Sequence, residues 1–178
     1  MGKRERKVET IKKYLDGAAG AWPAYVYGNI PKKLAVAACS SYAGAIQPGD
    51  ILGLIDITVL GNGKKGMVFT ENTIYYNNGA LANKGTVSYR KIYESGKIPG
   101  DVLDSTYNST AMRELVSKMS HIEGEDTVKE IGNAVDAGLG LVEKFAGKDT
   151  AKEIGDVVGA GAELVGIFAE LFGGGKNK

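Results

Sequence analysis

ILGLIDITVLGNGKKGMVFTENTIYYNN, residues 51–78, decides the fold. With TVSYRKIY, residues 86–93, it holds the densest β-branched and aromatic content of the chain, cut by Gly/Asn turns at strand-like intervals. An antiparallel meander follows. In the first segment Ile51, Ile55, Ile57 and Val59 fall on one parity and Leu52, Leu54, Asp56, Thr58 and Leu60 on the other, which predicts a strand to about Leu60 entering a core covered on both sides. Gly61-Asn62-Gly63-Lys64-Lys65-Gly66 supplies residues tolerant of positive φ and predicts a tight loop. It lacks the Walker spacing, because its two lysines precede Gly66 and another strand. Met67–Thr70 and Thr73–Tyr76 pair across Glu71-Asn72 as a hairpin.

The run IDITVLGNGKKGMVFTENTIYYNN, followed by SYRKI, resembles the opening half of bacterial PH-like domains, where a strand, a Gly-rich turn, a GIYY-like strand and an SY..I motif recur in order. The resemblance covers about residues 50–93. It implies a strongly bent antiparallel sheet closed by a helix and used for binding or assembly without chemistry. Some relatives hold lipid headgroups with basic residues of the first hairpin loop, where Lys64 and Lys65 stand here. The next strand, Met67-Val68-Phe69-Thr70, adds no Lys or Arg, and a solvated turn is the alternative. Beyond Tyr93 only Ile98–Leu103, interrupted by Pro99 and Gly100, offers a further strand, so the sheet is complete or truncated.

Upstream, Val8, Ile11, Leu15, Ala18 and Trp22 recur at helical spacing and predict an amphipathic helix over Val8–Gly20 with basic flanks. Such a helix ending in Trp is either a surface helix of its own domain or a membrane-surface anchor. WPAYVYG reads as an edge strand. Pro31 opens a helix to about Ala43, on which Cys39 is expected as a small buried hydrophobe. Asn108-Ser109-Thr110 caps a helix through Ile122, with His121 near its end.

The C-terminus repeats itself. DTVKEIGNAVDAGLGLVEKF from Asp126 returns as DTAKEIGDVVGAGAELVGIF from Asp149, each copy opening with a capping box, Thr127 to Glu130 and Thr150 to Glu153. An antiparallel helical hairpin is predicted, its seams facing each other. Its glycines cost roughly 0.8 to 1 kcal/mol each relative to Ala, so close packing has to offset them. The second copy carries an extra apolar line through Val157, Leu164, Ile167 and Leu171 that one partner helix cannot cover. Those four residues are the candidate partner-binding surface.

Composition bounds the chemistry. Across 178 residues, Lys+Arg 22 against Asp+Glu 21 gives a formal charge of +1, which supplies no global field for nucleic acid. A single Cys and a single His remove the usual metal and thiol-redox sites, so no catalytic residue, metal or cofactor is expected. The basic N-terminus runs into TIKKYLD rather than an apolar signal core, which fits a cytoplasmic location. The expectation is an α+β protein: an N-terminal helical segment (1–48), a PH-like antiparallel sheet with closing helix (49–123), the duplicated-helix hairpin (124–173) and a disordered tail (174–178). Its expected role is a non-catalytic binding module with a protein partner or a second copy of itself. The alternative is a peripheral protein of anionic membrane surfaces, acting through Lys3–Lys13 with Trp22, through Lys64 and Lys65, or through the C-terminal helices.

Overall fold

The computed structural model of the chain describes residues 1–79 and 84–125. Two compact units divide the chain, Met1–Gly124 and Glu125–Lys178, and the first carries almost everything that follows. The predicted helical hairpin, its two capping boxes, the tail and the line Val157, Leu164, Ile167 and Leu171 lie outside the described residues.

The first unit is α+β. Its elements are α1 (Lys3–Ala19), β1 (Ala24–Val26), α2 (Lys32–Ser41), β2 (Gly53–Asp56), β3 (Gly66–Phe69), β4 (Thr73–Asn77), β5 (Lys84–Ser88), α3 (Tyr89–Ser95) and a helix α4 over 109–125. The strands form one antiparallel sheet in the order β1-β2-β3-β4-β5, a meander in which every neighbour in space is also a neighbour in sequence. The predicted hairpin is β3–β4: Thr70 Oγ1 accepts from the Thr73 and Asn72 amides and fixes the turn.

Alternation along the strands makes two faces. Ile55, Met67 and Tyr76 share one row, and Phe69, Ile74 and Val87 the next; both belong to the larger core, closed by Ile11, Leu15, Ala18 and Ala19 of α1 and by Met112, Leu115, Val116 and Met119 of α4. Leu54 and Val68 point to the other face, where Leu34, Ala35 and Ala38 of α2 cover them. The sheet is therefore covered on both sides at its centre. Gly53 sets how closely α1 approaches, because a Cβ there would lie 2.9 Å from Ile11 Cγ2 and 3.1 Å from a Leu15 methyl. Opposite Gly85, the missing side chain is replaced by the Tyr76 ring, which lies where a Cβ would project.

Four expectations need correction. The first strand stops at Asp56 rather than near Leu60, because the Asp56 side chain turns back to bond the loop that follows. TVSYRKIY is not one strand: Ser88 ends β5 and caps α3, its Oγ accepting from the Lys91 amide at 3.2 Å, so the SY..I motif straddles a strand-to-helix junction. Ile98–Leu103 ends in a 3-10 turn, Gly100–Leu103, in place of a strand. Cys39 is half-buried at the margin of the α2 core rather than inside it. The predicted cap of α4 is present, with Asn108 Oδ1 accepting from the Ala111 amide, but the helix runs past His121. His121 is exposed and bonds the Ser117 carbonyl one turn back.

Candidate functional site

Part of the basic complement of α1 is spent inside the molecule. Lys7 sits on the stripe with Ile11 and Leu15 and has no exposed surface. Its Nζ donates to Glu123 Oε2 of α4 at 2.5 Å and to the Glu71 carbonyl, and lies 4.5 Å from the centre of the Tyr89 ring. Lys3 donates to the other oxygen of Glu123 at 2.9 Å. Burial pulls the Lys7 ammonium below its ordinary range, against the support of Glu123. For Glu123, burial pushes upward, but the hydrogen bonds from Lys7 and Lys3 win and hold the carboxyl below the usual range. Arg4 reaches the Gly49 carbonyl, lies 3.7 Å from Glu71 and stacks 5.1 Å from the Tyr27 ring. Trp22 donates its indole N–H to the Thr106 carbonyl at 3.0 Å. These contacts dock α1 and Trp22 on their own domain, while Lys12 and Lys13 further along the helix stay exposed.

The opposite end of the sheet is built differently. Between β2 and β3 the chain leaves the core as the loop 57–65. At its apex Val59 is 92% exposed and Leu60 86%, the most exposed large hydrophobics among the described residues after β1 begins. Their predicted place in a strand is overturned by a chain of hydrogen bonds. Asp56, 1% exposed, accepts from the Thr58 amide (2.9 Å) and hydroxyl (2.5 Å) through Oδ1 and from the Gly63 amide (3.1 Å) through Oδ2. Thr58 Oγ1 accepts in turn from the Asn62 amide at 2.8 Å, and Asn62 Oδ1 from the Lys64 amide at 3.1 Å. Asn77 donates its side-chain amide to the Lys64 carbonyl. Gly61 and Gly63, with φ of 60° and 71°, allow the reversal. Gly63 also lets the loop touch α2, since a Cβ there would stand 2.8 Å from the Leu34 carbonyl oxygen.

That contact assembles charge. Lys64 follows Gly63 in the loop, and Lys32 and Lys33 precede Leu34 at the start of α2; all four lysines of these segments, Lys65 included, are exposed. Lys84, whose register row runs through Asn77 and Gly66 to Asp56, sits at the same end of the sheet and reaches the Ser41 carbonyl. Residues 17–49 and 57–70 contain no Asp or Glu. Asp101 comes near this end through Asn78, which donates to its carbonyl, and its carboxylate accepts from the Tyr76 hydroxyl.

Of the sequence candidates, the structure thus places Lys64 and Lys65 in an exposed loop beside two further lysines that the sequence reading passed over. Met67, Val68 and Phe69 are buried, so β3 brings no polar group to the loop. Asp56 was missed because it stood in an apolar run. The pattern Asp-x-Thr, an acceptor two residues before a hydroxyl and just ahead of a Gly/Asn loop, was the available signal. No group of three or more His, Cys, Asp or Glu among the described residues could hold a metal ion, and no described helix is long and apolar enough to cross a membrane. Comparison with protein-family models, with curated proteins and with solved structures finds no match to this chain.

Proposed function

We propose that the chain is a non-catalytic binding module, built on a PH-like meander, that docks on an anionic membrane surface through the loop 57–65. The exposure of Val59 and Leu60 at the apex of a hydrogen-bonded loop carries this reading. Two adjacent apolar side chains held in water on a loop that carries the exposed Lys64 and Lys65, and that meets α2 next to the exposed Lys32 and Lys33, match an interface that is apolar inside and negatively charged at its surface. Each lysine near such a surface contributes about 1 kcal/mol. Burying Val and Leu adds at most about 1.5 to 3 kcal/mol apiece. The two parts add against the cost of immobilising the protein, so full affinity draws on both. The buried strand β3 offers no converging cations, which favours recognition of surface charge over one headgroup.

Co-sedimentation with phosphatidylglycerol vesicles tests this. Binding is expected at low salt, is expected to fall steeply as ionic strength shrinks the screening length, and is expected to be absent on phosphatidylcholine. Equal binding to both lipids, or to neither, contradicts it.

A second reading rests on the sequence repeat. The apolar line Val157, Leu164, Ile167 and Leu171 predicted from that repeat suits self-association or a protein partner. Light scattering over a range of concentrations tests it, and a strict monomer would remove it.

A further inference from the structure

We infer that Asp56 is the positioning residue of the docking loop, holding Val59 and Leu60 outward as a preformed wedge, so that binding separates into an insertion step that depends on Asp56 and a charge step that does not. The inference rests on the membrane reading above. Its basis is the way the loop is tied together. One buried carboxylate receives three hydrogen bonds from the two ends of the segment: Thr58 at its start and Gly63 near its close. The bonds from Asn62 to Thr58 and from Lys64 to Asn62 extend the same chain of contacts along the loop. Five residues, 58–62, are thereby closed into a ring through a single side chain at the end of β2. Val59 and Leu60 are the residues in that ring with no inward role; both remain in water because the ring leaves them no route back to the core. A loop free to relax would fold two such side chains against the nearest apolar surface, since their burial is favourable. Preorganisation removes the ordering cost at the moment of binding.

The lysines are held by different means. Lys32 and Lys33 belong to α2, and the Lys64 carbonyl is anchored by Asn77 of β4. Loss of the Asp56 contacts therefore leaves the positive charge in place while freeing the apex.

Asp56→Asn is the discriminating change. It keeps the side-chain shape and one carbonyl oxygen, but whichever way the amide turns it presents an N–H to either the Thr58 or the Gly63 amide. Leu60→Trp serves as reporter, read against the constant background of Trp22. With phosphatidylglycerol vesicles, the reporter variant is expected to shift its emission to the blue and to be quenched by brominated acyl chains. Adding Asp56→Asn is expected to abolish at least half of that quenching while low-salt co-sedimentation falls only about two- to threefold. Full quenching in the double variant overturns the inference and leaves the membrane reading intact; no vesicle binding by the unmodified protein defeats that reading instead.

A lipid-free measurement tests the positioning role separately. In Asp56→Asn the amides of Asn62 and Gly63 are expected to exchange at least tenfold faster, with the β3–β4 amides unchanged; unchanged exchange at 62 and 63 overturns the inference. Should Asp56→Asn fail to fold, Thr58→Val, which removes the two hydroxyl bonds, to the Asn62 amide and to Oδ1, while leaving Asp56 bonded to the backbone amides of residue 58 and Gly63, is expected to give the same split between quenching and sedimentation in weaker form, and parallel loss of both overturns it.

Discussion

Lys7 and Glu123 are separated by 116 residues in sequence and by 2.5 Å in the folded protein. The pair joins the first helix to the last described one, across the β3–β4 turn whose Glu71 carbonyl also accepts from Lys7. Taking either charge away leaves the other buried, which is costlier than never having had the pair. Glu123→Gln is expected to lower stability by about 3 kcal/mol, and Lys7→Met with Glu123→Leu together by much less. Urea denaturation of the singles and the double checks this; additive losses would show that the two residues act independently.

The same pair sets a pH window. Glu123 has its carboxyl held below the ordinary range in the folded state, so its contribution to stability is present above the unfolded carboxylate range. That contribution is lost as pH falls through the lowered folded value. The urea midpoint is therefore expected to drop on acidification below about pH 4.5, with Glu123→Gln showing a shallower drop. An identical acid profile in the variant would contradict the assignment.

Tyr89 presents the reverse case. Its ring is fully buried under Lys7, yet among the described residues its hydroxyl has no hydrogen-bond partner, and burial pushes its pKa far upward. An unsatisfied buried hydroxyl costs about 1 to 3 kcal/mol, whereas the ring contact with Lys7 survives in Phe. Tyr89→Phe is expected to leave stability unchanged or raise it by about 1 kcal/mol, read from thermal melts; a loss of more than 1 kcal/mol would mean the hydroxyl is satisfied.

Two glycines with positive φ differ in consequence. Gly66 has φ of 138°, and a Cβ on it would strike the Ile55 carbonyl across the β2–β3 ladder. Gly61 has φ of 60° and open space around its missing Cβ. Gly66→Ala is expected to cost more than about 3 kcal/mol and Gly61→Ala about 1 to 2 kcal/mol. Chemical denaturation of both tests the register of the strand pair, and equal costs would speak against it.

The meander was legible because strand alternation and Gly/Asn turns act locally: the β3–β4 hairpin, the edge strand at Ala24–Val26 and the Asn108 cap of α4 follow from neighbours in sequence. What was not legible depended on long-range contacts. Val59 and Leu60 have strand propensity, and only the reach of Asp56 to Gly63 takes them out of the ladder. Tyr89 to Tyr93 likewise favours strands, but Ser88 caps the chain into α3, which buries Tyr89 and Ile92. Lys7 looked like one more solvated cation of α1, because nothing near it in sequence announces Glu123. The cluster of Lys32, Lys33, Lys64 and Lys65 arises only where Gly63 meets Leu34.

The docking account stands most directly on the apex of the loop. Vesicle co-sedimentation of the protein carrying Val59→Ser and Leu60→Ser, both exposed and outside every core cluster, measures it without disturbing the fold. The account predicts at least a tenfold loss of affinity for phosphatidylglycerol vesicles with an unchanged melting temperature. Unaltered vesicle affinity in that variant would contradict it.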